Sequence, residues 1–508
     1  MAIARTGKTN KKLVLAGLLL GLIFAELDET VVATAMPTII RELHGMALYG
    51  WVAGIYMLSV TMFMPIIGKL ADLYGRKRVY IVCMALFVCG SMMCGTASSM
   101  AGLLTGRAIQ GIGAGGLMPL ALVIIGDAYP LEQRARIQAL FGPLLILPQL
   151  LGPTVGGYIV GQFDWHWIFL INIPIGLIAA AMIAAGMRET RGTGRRSIDW
   201  AGATLLAAGL LLLLLAPVLI DTQGYSWTSP AVLGLLAMSA LLLSVFVRVE
   251  RKAEQPMIPP SLFRNRNVVV IYSLVFLLML SVMGGIAAFP FYAQNVMGLA
   301  PTASGYLMLA FAGATIPASV LVGFLVTRVV YRNVFVAACL LPLAGFALLS
   351  RIGVGTGVLY VVAAFIVLGF GVGALFGANN LIVQESVGKE ESGVAISSVQ
   401  LFQSLGATIG LSVFGSVLGS RIGRGVEQMG ARLPEGSGEA IAAGGIPDGM
   451  SAELVDGVRA IFAEAFQELF LLSLLFGAVA FIVAWFLKKE VLAKREPNVR
   501  ADAAASDC

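Results

Sequence analysis

Three acidic residues lie close together inside the first long apolar stretch of the chain. Glu26, Asp28 and Glu29 follow the uncharged run 13–25 and precede a second apolar run. At a rise of about 1.5 Å per residue, Asp28 lies roughly 22 Å along a helix that begins at Leu13, within a hydrocarbon core about 30 Å thick. Carboxyl groups are costly at that depth and typically mark a pathway for protons or substrates. The cluster therefore predicts a membrane transporter with a proton as its coupling ion.

The three carboxyl groups cannot all face one cavity. At about 100° per residue, Glu26 and Glu29 lie about 60° apart on a helix, whereas Asp28 lies about 200° from Glu26. Burial in a low-dielectric cavity favours the protonated form of a carboxyl group, so such a group can take up a proton on one side and release it on the other. Asp28 and Glu26 are the candidates for this exchange, and Glu26 could also pair with a lipophilic cation. Glu29 is expected to serve packing or hydration.

Arg107 is a further charged residue within an apolar stretch, 102–126. If its helix begins near Ala101, Arg107 lies about 9 Å below the outer face, at a depth similar to that of Asp28. An intramembrane Arg is costly without a partner, and the matched depth permits contact with Asp28. We hypothesise that Arg107 lowers the proton affinity of Asp28 or Glu26 in one conformation and releases it in another. The alternative is a permanent bridge that fixes the order of the helices.

The composition of the whole chain is that of a membrane protein. Hydrophobic residues make up 58% of the 508 residues, and charged residues make up 12%. A soluble domain carries about 25% charged residues. The number of predicted membrane spans is fourteen, and an even number places both termini on the same side of the membrane. Fourteen stretches meet the apolar length of about 18 residues that a membrane helix needs: 13–36, 49–70, 79–97, 102–126, 137–161, 167–187, 199–220, 230–247, 268–292, 303–326, 333–350, 356–381, 393–418 and 461–487.

The basic residues indicate which side carries the termini. All but seven of the 34 Lys and Arg residues lie in loops or tails on the side of the termini, so the positive-inside rule makes that side cytoplasmic. The net charge of +6 therefore indicates a basic inner face against anionic lipid, and not a nucleic-acid partner. The exceptions are Arg41, Arg107, Arg351, Arg421, Arg424, Arg432 and Arg459.

No motif for a cofactor is present in the sequence. The five Cys residues lack metal or redox spacing, and two His residues are too few for a metal cluster. The chain has no G-x-x-x-x-G-K-[ST] loop, which disfavours an ATP-driven pump. We expect neither a metal nor another cofactor, and no enzymatic activity.

A dense motif lies between the second and third apolar stretches. Residues 68–78 read GKLADLYGRKR, which resembles the GxLaDrxGrkr loop of the major facilitator superfamily. The glycines permit a tight turn, and the Asp can accept hydrogen bonds from a helix amino terminus or a basic partner. We expect the charged residues to act as a latch that holds one conformation. The latch residues are Gly68, Asp72, Gly75, Arg76 and Lys77.

Further motifs cover most of the amino-terminal half. Residues 107–115, RAIQGIGAG, resemble the RxxQGxGaa signature of the same superfamily. Residues 150–157, LLGPTVGG, resemble the gxxxGPxxGG signature of its drug antiporters, with Pro148 at the first glycine position. Residues 27–39 and 164–176 are similar to signatures of its fourteen-span branch, with His166 where that branch usually has Arg. The antiporter helix motif consists of Gly152, Pro153, Gly156 and Gly157.

By these motifs the chain is identified as a member of the fourteen-span drug:proton antiporter branch of the superfamily, the QacA/EmrB type. The resemblance implies an all-α membrane protein with two six-helix bundles that rock about a central cavity. Asp28 holds the acidic position of this branch, which ranks it before Glu26 for proton coupling. The implied parts are an amino-terminal bundle at 13–187, an extra transmembrane helix pair at 199–247, a carboxy-terminal bundle at 268–487 and a cytoplasmic tail at 488–508.

The function implied is proton-coupled multidrug efflux of lipophilic, cationic compounds across a bacterial inner membrane, by a monomer. Its partners would be a small-molecule substrate, protons and lipid; a periplasmic adaptor has no support in the sequence. The alternative is proton-coupled export of a native metabolite such as a lipid, peptide or amino acid, which fold alone does not exclude. A scaffold without transport is a third class, and charged residues within the membrane argue against it.

The sequence offers weaker indications of a substrate cavity. Aromatic and Met side chains can line an adaptable cavity, and amides can bind polar groups, although both equally serve helix packing. Gln403 lies where the branch has Arg. The segment 420–460 is a long outer loop, expected to be a tether, with a lid as the alternative and Ser451 as a helix cap. The cavity candidates are Tyr56, Phe291, Tyr292, Asn380 and Gln403.

Overall fold

The computed structural model describes residues 9–43, 48–139, 141–189, 199–429, 433, 437–442 and 450–492. Within these ranges all regular structure is helical, and every predicted apolar stretch contains a helix. In chain order the helices are α1 (Lys11–Leu43), α2 (Tyr49–Tyr74), α3 (Arg76–Cys94), α4 (Met100–Ala128), α5 (Leu131–Ala139), α6 (Phe141–Gln162), α7 (Trp167–Leu170), α8 (Asn172–Gly186), α9 (Trp200–Gln223), α10 (Pro230–Glu250), α11 (Pro260–Arg264), α12 (Arg266–Ala287), α13 (Phe289–Asn295), α14 (Pro301–Leu325), α15 (Tyr331–Leu349), α16 (Val358–Ser386), α17 (Ser392–Met429), α18 (Ser437–Ala442) and α19 (Ala452–Ala484).

The all-helical membrane fold is confirmed. Over the described ranges, twelve helical segments are long and apolar enough to cross a membrane. Two further long helices lie outside this set, namely α1, which carries three acidic residues within its apolar length, and α6. The count of fourteen spans and the side on which the termini lie stay predictions.

The two halves of the molecule repeat one packing pattern. In the N half, α1–α8, helix α4 packs on α2 and α3, and α1 packs on α6 and α8. In the C half, α11–α19, helix α16 packs on α14 and α15, and α12 packs on α17 and α19. Each contact in one half thus has a counterpart in the other, as expected for structural repeats in a transporter.

Helices α9 and α10, which we call the accessory pair, pack on each other beside the boundary between the halves. Helix α9 contacts α2 of the N half and α17 of the C half. Its buried leucines share one apolar core with the C half. The indole N–H of Trp227 also donates to the Ser416 hydroxyl at 3.0 Å. The accessory pair therefore contacts both halves.

Polar contacts between the two halves lie toward one end of the molecule, the end that carries the α2–α3 turn. We call this the latch end. There α2 packs on α17, and α5 contacts α14 and α16. Gly68 lies so close to α17 that a Cβ would collide with the Ser397 hydroxyl and lie 2.7 Å from the Gly393 carbonyl oxygen. Farther from that end, the Thr61 and Ser404 hydroxyls are 2.5 Å apart.

The predicted long outer loop is shorter than expected. Helix α17 continues to Met429, and α19 begins directly after Ser451. The Ser451 hydroxyl accepts from the Leu454 N–H at 3.4 Å, which confirms the predicted helix cap. The expectation of a tether over 420–460 is therefore wrong at both ends of that segment. Most of 430–449 and the tail from 493 onward lie outside the described residues.

Two glycines of the predicted antiporter helix motif seat α6 against α1. A Cβ at Gly152 would collide with Thr30, and a Cβ at Gly156 would collide with Thr34. The Thr30 hydroxyl donates to the carbonyl oxygen of Pro148 at 2.9 Å. Small residues spaced four apart allow such a close approach of two helices in a membrane. A Cβ at Gly157 would meet no described atom within 4 Å, and the side chain of Pro153 lies outside the described residues.

The adjacent glycines of α6 provide a matched test of this packing. We expect Gly156→Ala to destabilise the protein by about 1–3 kcal/mol, because the added methyl group displaces Thr34 and so separates α1 from α6. Gly157→Ala should be neutral or stabilise by up to about 1 kcal/mol, since it only removes backbone freedom. Thermal unfolding of the purified variants in detergent measures both. Equal melting temperatures for the two variants would contradict the packing argument.

Candidate functional site

The carboxylate of Asp28 is surrounded by hydrogen-bond donors from α4 and α8. Its Oδ2 accepts from Arg107 Nη1 at 2.5 Å. Its Oδ1 accepts from Gln110 Nε2 at 2.8 Å and from Asn172 Nδ2 at 2.7 Å. Gln110 also donates to the Ser91 hydroxyl of α3 at 2.9 Å. All five side chains are buried, and the contact between Asp28 and Arg107 that their matched depth permits is present.

The guanidinium group of Arg107 has several further contacts besides Asp28. Its Nη1 donates to Gln110 Oε1 at 2.8 Å, and its Nε donates to the Val52 carbonyl oxygen at 3.4 Å. The ring of Tyr56 lies 4.0 Å from the guanidinium carbon, which is a cation–π contact. Tyr56 is buried, and its hydroxyl donates to the Ala25 carbonyl oxygen at 3.5 Å. The structure thus places Tyr56 over Arg107 and not in a substrate cavity, which corrects the sequence-based expectation.

Glu26 and Glu29 lie in a different environment on the same helix. Both side chains are partly exposed, whereas Asp28 is 3% exposed. Neither Glu has a hydrogen bond or ion pair with any residue that the structure describes. The angular separation predicted from helix periodicity accounts for this difference. Helix α1 therefore presents one saturated carboxylate to the interior of the N half and two unpaired carboxyl groups on another face.

The Asp72 side chain caps a helix of the opposite half. Its two carboxylate oxygens accept from the backbone N–H groups of Gly393, at 3.1 Å, and Val394, at 3.0 Å. These N–H groups belong to the first turn of α17, where they have no partner within the helix and where a negative charge is favourable. A Cβ at Gly393 would lie 2.5 Å from an Asp72 oxygen, so the contact also requires a glycine there.

Arg76 extends this contact to the segment before α17. It donates to the Lys389 carbonyl oxygen and to the Ser392 hydroxyl, each at 2.7 Å. It also forms ion pairs with Asp127 at the end of α4 and, at 3.7 Å, with Asp72. The structure therefore brings Asp72 and Arg76 together with α17, as a latch between the halves requires.

The remaining predicted latch residues have local roles. The Lys77 ammonium donates to the carbonyl oxygens of Ala184, at 2.6 Å, and Met187, at 2.7 Å, at the end of α8. These contacts lie within the N half, so the structure does not bring Lys77 to the C half as the latch prediction requires. Gly75 has a φ of +101°, a conformation that favours glycine, and a Cβ there would collide with the Glu189 carboxylate.

Most of the predicted cavity residues are not brought together. Phe291 packs on Phe466 at a ring distance of 6.0 Å, and the buried Tyr292 donates its hydroxyl to the Gly353 carbonyl oxygen at 3.0 Å. Both belong to the apolar core of the C half, which corrects their placement in a cavity. Asn380 shares a face of α16 with Gly373, two turns away, and Gly373 contacts α14. Gln403 is partly exposed.

The sequence did not predict several residues of the site. Gln110 and Asn172 lie within motifs that were recognised, but they were not assigned a role. The available signal was an amide side chain inside an apolar helix, which is buried at a cost unless it is hydrogen-bonded. Asp127 gave a comparable signal as an acidic residue at the end of an apolar stretch.

His166 forms a local structure at the end opposite the latch. Its Nδ1 lies 2.5 Å from Asp164 Oδ1, and this hydrogen bond holds the pKa of the Asp164 carboxyl below its ordinary value. The ring of Trp165 stacks on His166 at 3.7 Å, and its indole N–H donates to Glu42 near the end of α1. His166 thus gives Asp164 a polar partner within the same segment.

Because the Asp28–Arg107 pair is buried, the loss of one partner should destabilise the protein. Arg107→Gln should destabilise the protein by about 3–5 kcal/mol, because it leaves a buried carboxylate without its cation. The double variant Asp28→Asn/Arg107→Gln should lose less than the single variant, since no unpaired charge remains. Unfolding in denaturant measures both.

A control variant is available at the protein surface. Arg421 pairs with Glu468, and both side chains are more than a third exposed. Arg421→Gln should therefore cost no more than about 1 kcal/mol. If the double variant at Asp28 and Arg107 were as unstable as Arg107→Gln alone, the unpaired charge would not be the source of the loss.

Comparison with known proteins assigns the chain to a family. The family model described as Major Facilitator Superfamily matches residues 18–411. The chain is 33% identical to the "Multidrug transporter protein MdtP" of Bacillus subtilis, over 98% of this chain and 96% of that protein. It is 34% identical to the "Multidrug resistance protein 3" of the same organism, over 81% of this chain and 80% of that protein. A third relative is the "MFS efflux transporter aclA" of Aspergillus oryzae, at 30% identity over 90% of this chain and 85% of that protein.

Solved structures share the fold at low sequence identity. The human organic anion transporter MFSD10 superposes with a TM-score of 0.58 at 15% identity, over 92% of this chain and all of that chain. The proton:xylose symporter XylE superposes with a TM-score of 0.55 at 14% identity, over 92% of this chain and 95% of that chain. With a matching family model over most of its length and relatives that align nearly end to end, the chain belongs to the major facilitator superfamily, a class of transporters and not of enzymes.

Proposed function

We propose that this protein exports lipophilic cations from a bacterial cell in exchange for protons. The names of its relatives support multidrug efflux. The proposal that the two exchanged ligands are a proton and a cation rests on one observation. The carboxyl groups of Glu26 and Glu29 are unpaired among the described residues and partly exposed, beside the fully hydrogen-bonded Asp28. A carboxyl group that binds either a proton or a cation, but not both, makes the two ligands compete. Competition of this kind is the basis of antiport.

We include fourteen spans in this proposal, with α1 and α6 as the two beyond the twelve apolar segments. Helix α1 has 33 residues and α6 has 22, which correspond to about 50 Å and about 33 Å, long enough for a hydrocarbon core about 30 Å thick. Both pack inside the N half. An even count places both termini on the same side of the membrane as the latch end. The excess of basic residues on that side supports its placement in the cytoplasm. The Bacillus relatives support a bacterial plasma membrane.

In this orientation the described conformation is closed toward the cytoplasm. The contacts of Asp72 and Arg76 with α17 join the halves at that end. We propose that Glu26 takes up a proton from outside in this state and releases a bound cation. Rocking of the halves then breaks the latch and exposes the cavity to the cytoplasm, where Glu26 loses the proton and binds the next cation. Asp28 and Arg107 keep α1 oriented throughout.

Transport in proteoliposomes tests the exchange. With an imposed proton gradient, ethidium flux by the parent protein should follow the gradient. Glu26→Gln should abolish the dependence on the gradient, because its side chain cannot ionise, and Asp28→Asn should reduce the coupled flux about tenfold or more. Glu464→Gln, at an exposed position of α19, is the matched control and should behave like the parent. Gradient-driven flux that survives in Glu26→Gln would exclude Glu26 as the exchange site.

The latch can be tested with a matched pair of variants. Asp72→Ala removes two hydrogen bonds to α17 and should shift the equilibrium toward the cytoplasm-open state by about tenfold. Lys77→Ala should not, because Lys77 contacts α8 of its own half. The reporter is Ser397→Cys, buried against Gly68, in a protein without other cysteines, and the measurement is its rate of labelling. Equal labelling of the Asp72→Ala variant and its parent would disprove the latch.

A further inference from the structure

Three amide groups in the C half, those of Asn379, Asn380 and Gln400, have buried polar atoms without hydrogen-bond partners among the described residues. Asn379 lies on α16 and is 3% exposed, and its Oδ1 accepts no hydrogen bond. Gln400 lies on α17 and is 4% exposed, and its Nε2 donates none. An unpaired polar atom raises the free energy of the state that buries it. The Asn379 and Asn380 atoms are acceptors, and the Gln400 atom is a donor.

Helix α17 packs against α2, α12 and the accessory pair through three of its faces, and it also contacts α4, α16 and α19. Helix α2 contacts it through a hydroxyl pair and a close approach of Gly68. Backbone carbonyl groups of α12 lie against two of its glycines. The accessory pair reaches it through Pro217 and Trp227. The contact residues on α17 are Ser397 and Ser404 toward α2, Gly406 and Gly410 toward α12, and Ser412 and Ser416 toward the accessory pair.

Gln400 and Gln403 lie on a different face of α17, where Ile396, one turn closer to the latch end, packs in the apolar core of the N half. At about 100° per residue counted from Ser397, the α2 face spans about 340–360°, the α12 face about 180–220° and the accessory-pair face about 60–100°. Gln400 falls at about 300° and Gln403 at about 240° on the same scale. Both therefore lie between α2 and α12, on the side of α17 away from the accessory pair. Gln403 is partly exposed there.

Asn379 lies on the face of α16 that is directed into the C half. Gly373 approaches α14, and Gly371 approaches α15. At about 100° per residue, Asn379 lies between these two contacts and about 160° from the exposed Ala363. Helix α16 also contacts α12 and α17, which close this side of the half. Asn379 is thus directed into the interior of the C half, where α16 also contacts α17.

The two amides also lie at one depth. Asn379 is seven residues, or about 10 Å, from the end of α16 at Ser386, and Gln400 is eight residues, or about 12 Å, from the start of α17 at Ser392. Both helix ends lie at the latch end. Gln400 is one turn closer to that end than Ser404, which contacts Thr61. The amides therefore lie between the latch and the level at which α1 carries its acidic residues.

We propose that Asn379, Gln400 and Gln403 form a subsite for uncharged hydrogen-bonding groups of the substrate, such as aromatic amines, hydroxyls or amides. The subsite rests on the proposed export function and adds a second recognition element to the carboxyl groups of α1. It opens when the latch end opens, and the substrate then supplies the donor and the acceptor that the closed state lacks. A substrate that enters from the latch end meets the amides before it reaches Glu26.

A comparison of two lipophilic cations distinguishes recognition of hydrogen-bonding groups by this subsite from recognition of charge. Ethidium carries two aromatic amines, whereas tetraphenylphosphonium has no hydrogen-bonding group. Gln400→Met and Asn379→Leu preserve side-chain size and remove the amide. We expect each variant to raise KM for ethidium about three- to tenfold, the effect of one lost hydrogen bond, and to leave KM for tetraphenylphosphonium within about twofold. Flux into proteoliposomes is the measurement.

Gln467→Met is the matched control for the loss of an amide elsewhere in the C half. Gln467 donates to the Ile352 carbonyl oxygen at 2.6 Å, near the end opposite the latch, and should affect both cations alike. If one of the buried variants fails to fold, Gln403→Met is tested in its place, because Gln403 is partly exposed. Equal changes for the two cations, or none for either, overturn the subsite while leaving cation export intact. A parent protein that transports neither cation overturns the proposed function and the subsite with it.

Discussion

The buried pair of Asp28 and Arg107 is the interaction on which the arrangement of the N half depends. Two charges can remain within a membrane helix bundle only if each is matched by an opposite charge and by hydrogen bonds. Gln110, Asn172 and Ser91 complete that set, so α1, α3, α4 and α8 meet at one point. This requirement fixes the rotation of α1 about its own axis. The rotation in turn directs the glutamates of α1 away from the pair.

Contacts within a half and contacts between halves differ in kind. Within the N half, glycines of α6 fit against threonines of α1 without any intervening side chain. Between the halves, the latch end combines the close approach of Gly68 to α17 with hydrogen bonds and ion pairs, among them those of Asp72 with the first turn of α17. Close packing resists change, whereas a small number of polar contacts can be exchanged for water. The polar share of the contacts between the halves supports the proposal that the halves move as bodies.

The sequence predicted those features that depend on one helix at a time. Apolar length located the helices, and depth along a helix matched Asp28 with Arg107. Helix periodicity separated Asp28 from the glutamates. The sequence did not predict features that depend on the rotation of one helix against its neighbours, and so it missed the contact of Tyr56 with Arg107 and the place of Tyr292 in the apolar core of the C half. Lys77 was misplaced because a long basic side chain can reach carbonyl groups of several nearby helix ends.

Rocking of rigid halves affects the acidic residues of α1 unequally. Every hydrogen-bond donor to Asp28 in the described structure comes from the N half, so a rigid rotation of that half leaves its surroundings unchanged. Glu26 and Glu29 have no such partners among the described residues and are partly exposed, so their surroundings change with the shape of the cavity. A coupling group must bind its proton more tightly in one state than in the other, which requires a changing environment. The sequence resemblance ranks Asp28 first, whereas this physical requirement supports the proposed role of Glu26 and applies equally to Glu29, with Asp28 as the anchor that holds α1 in place.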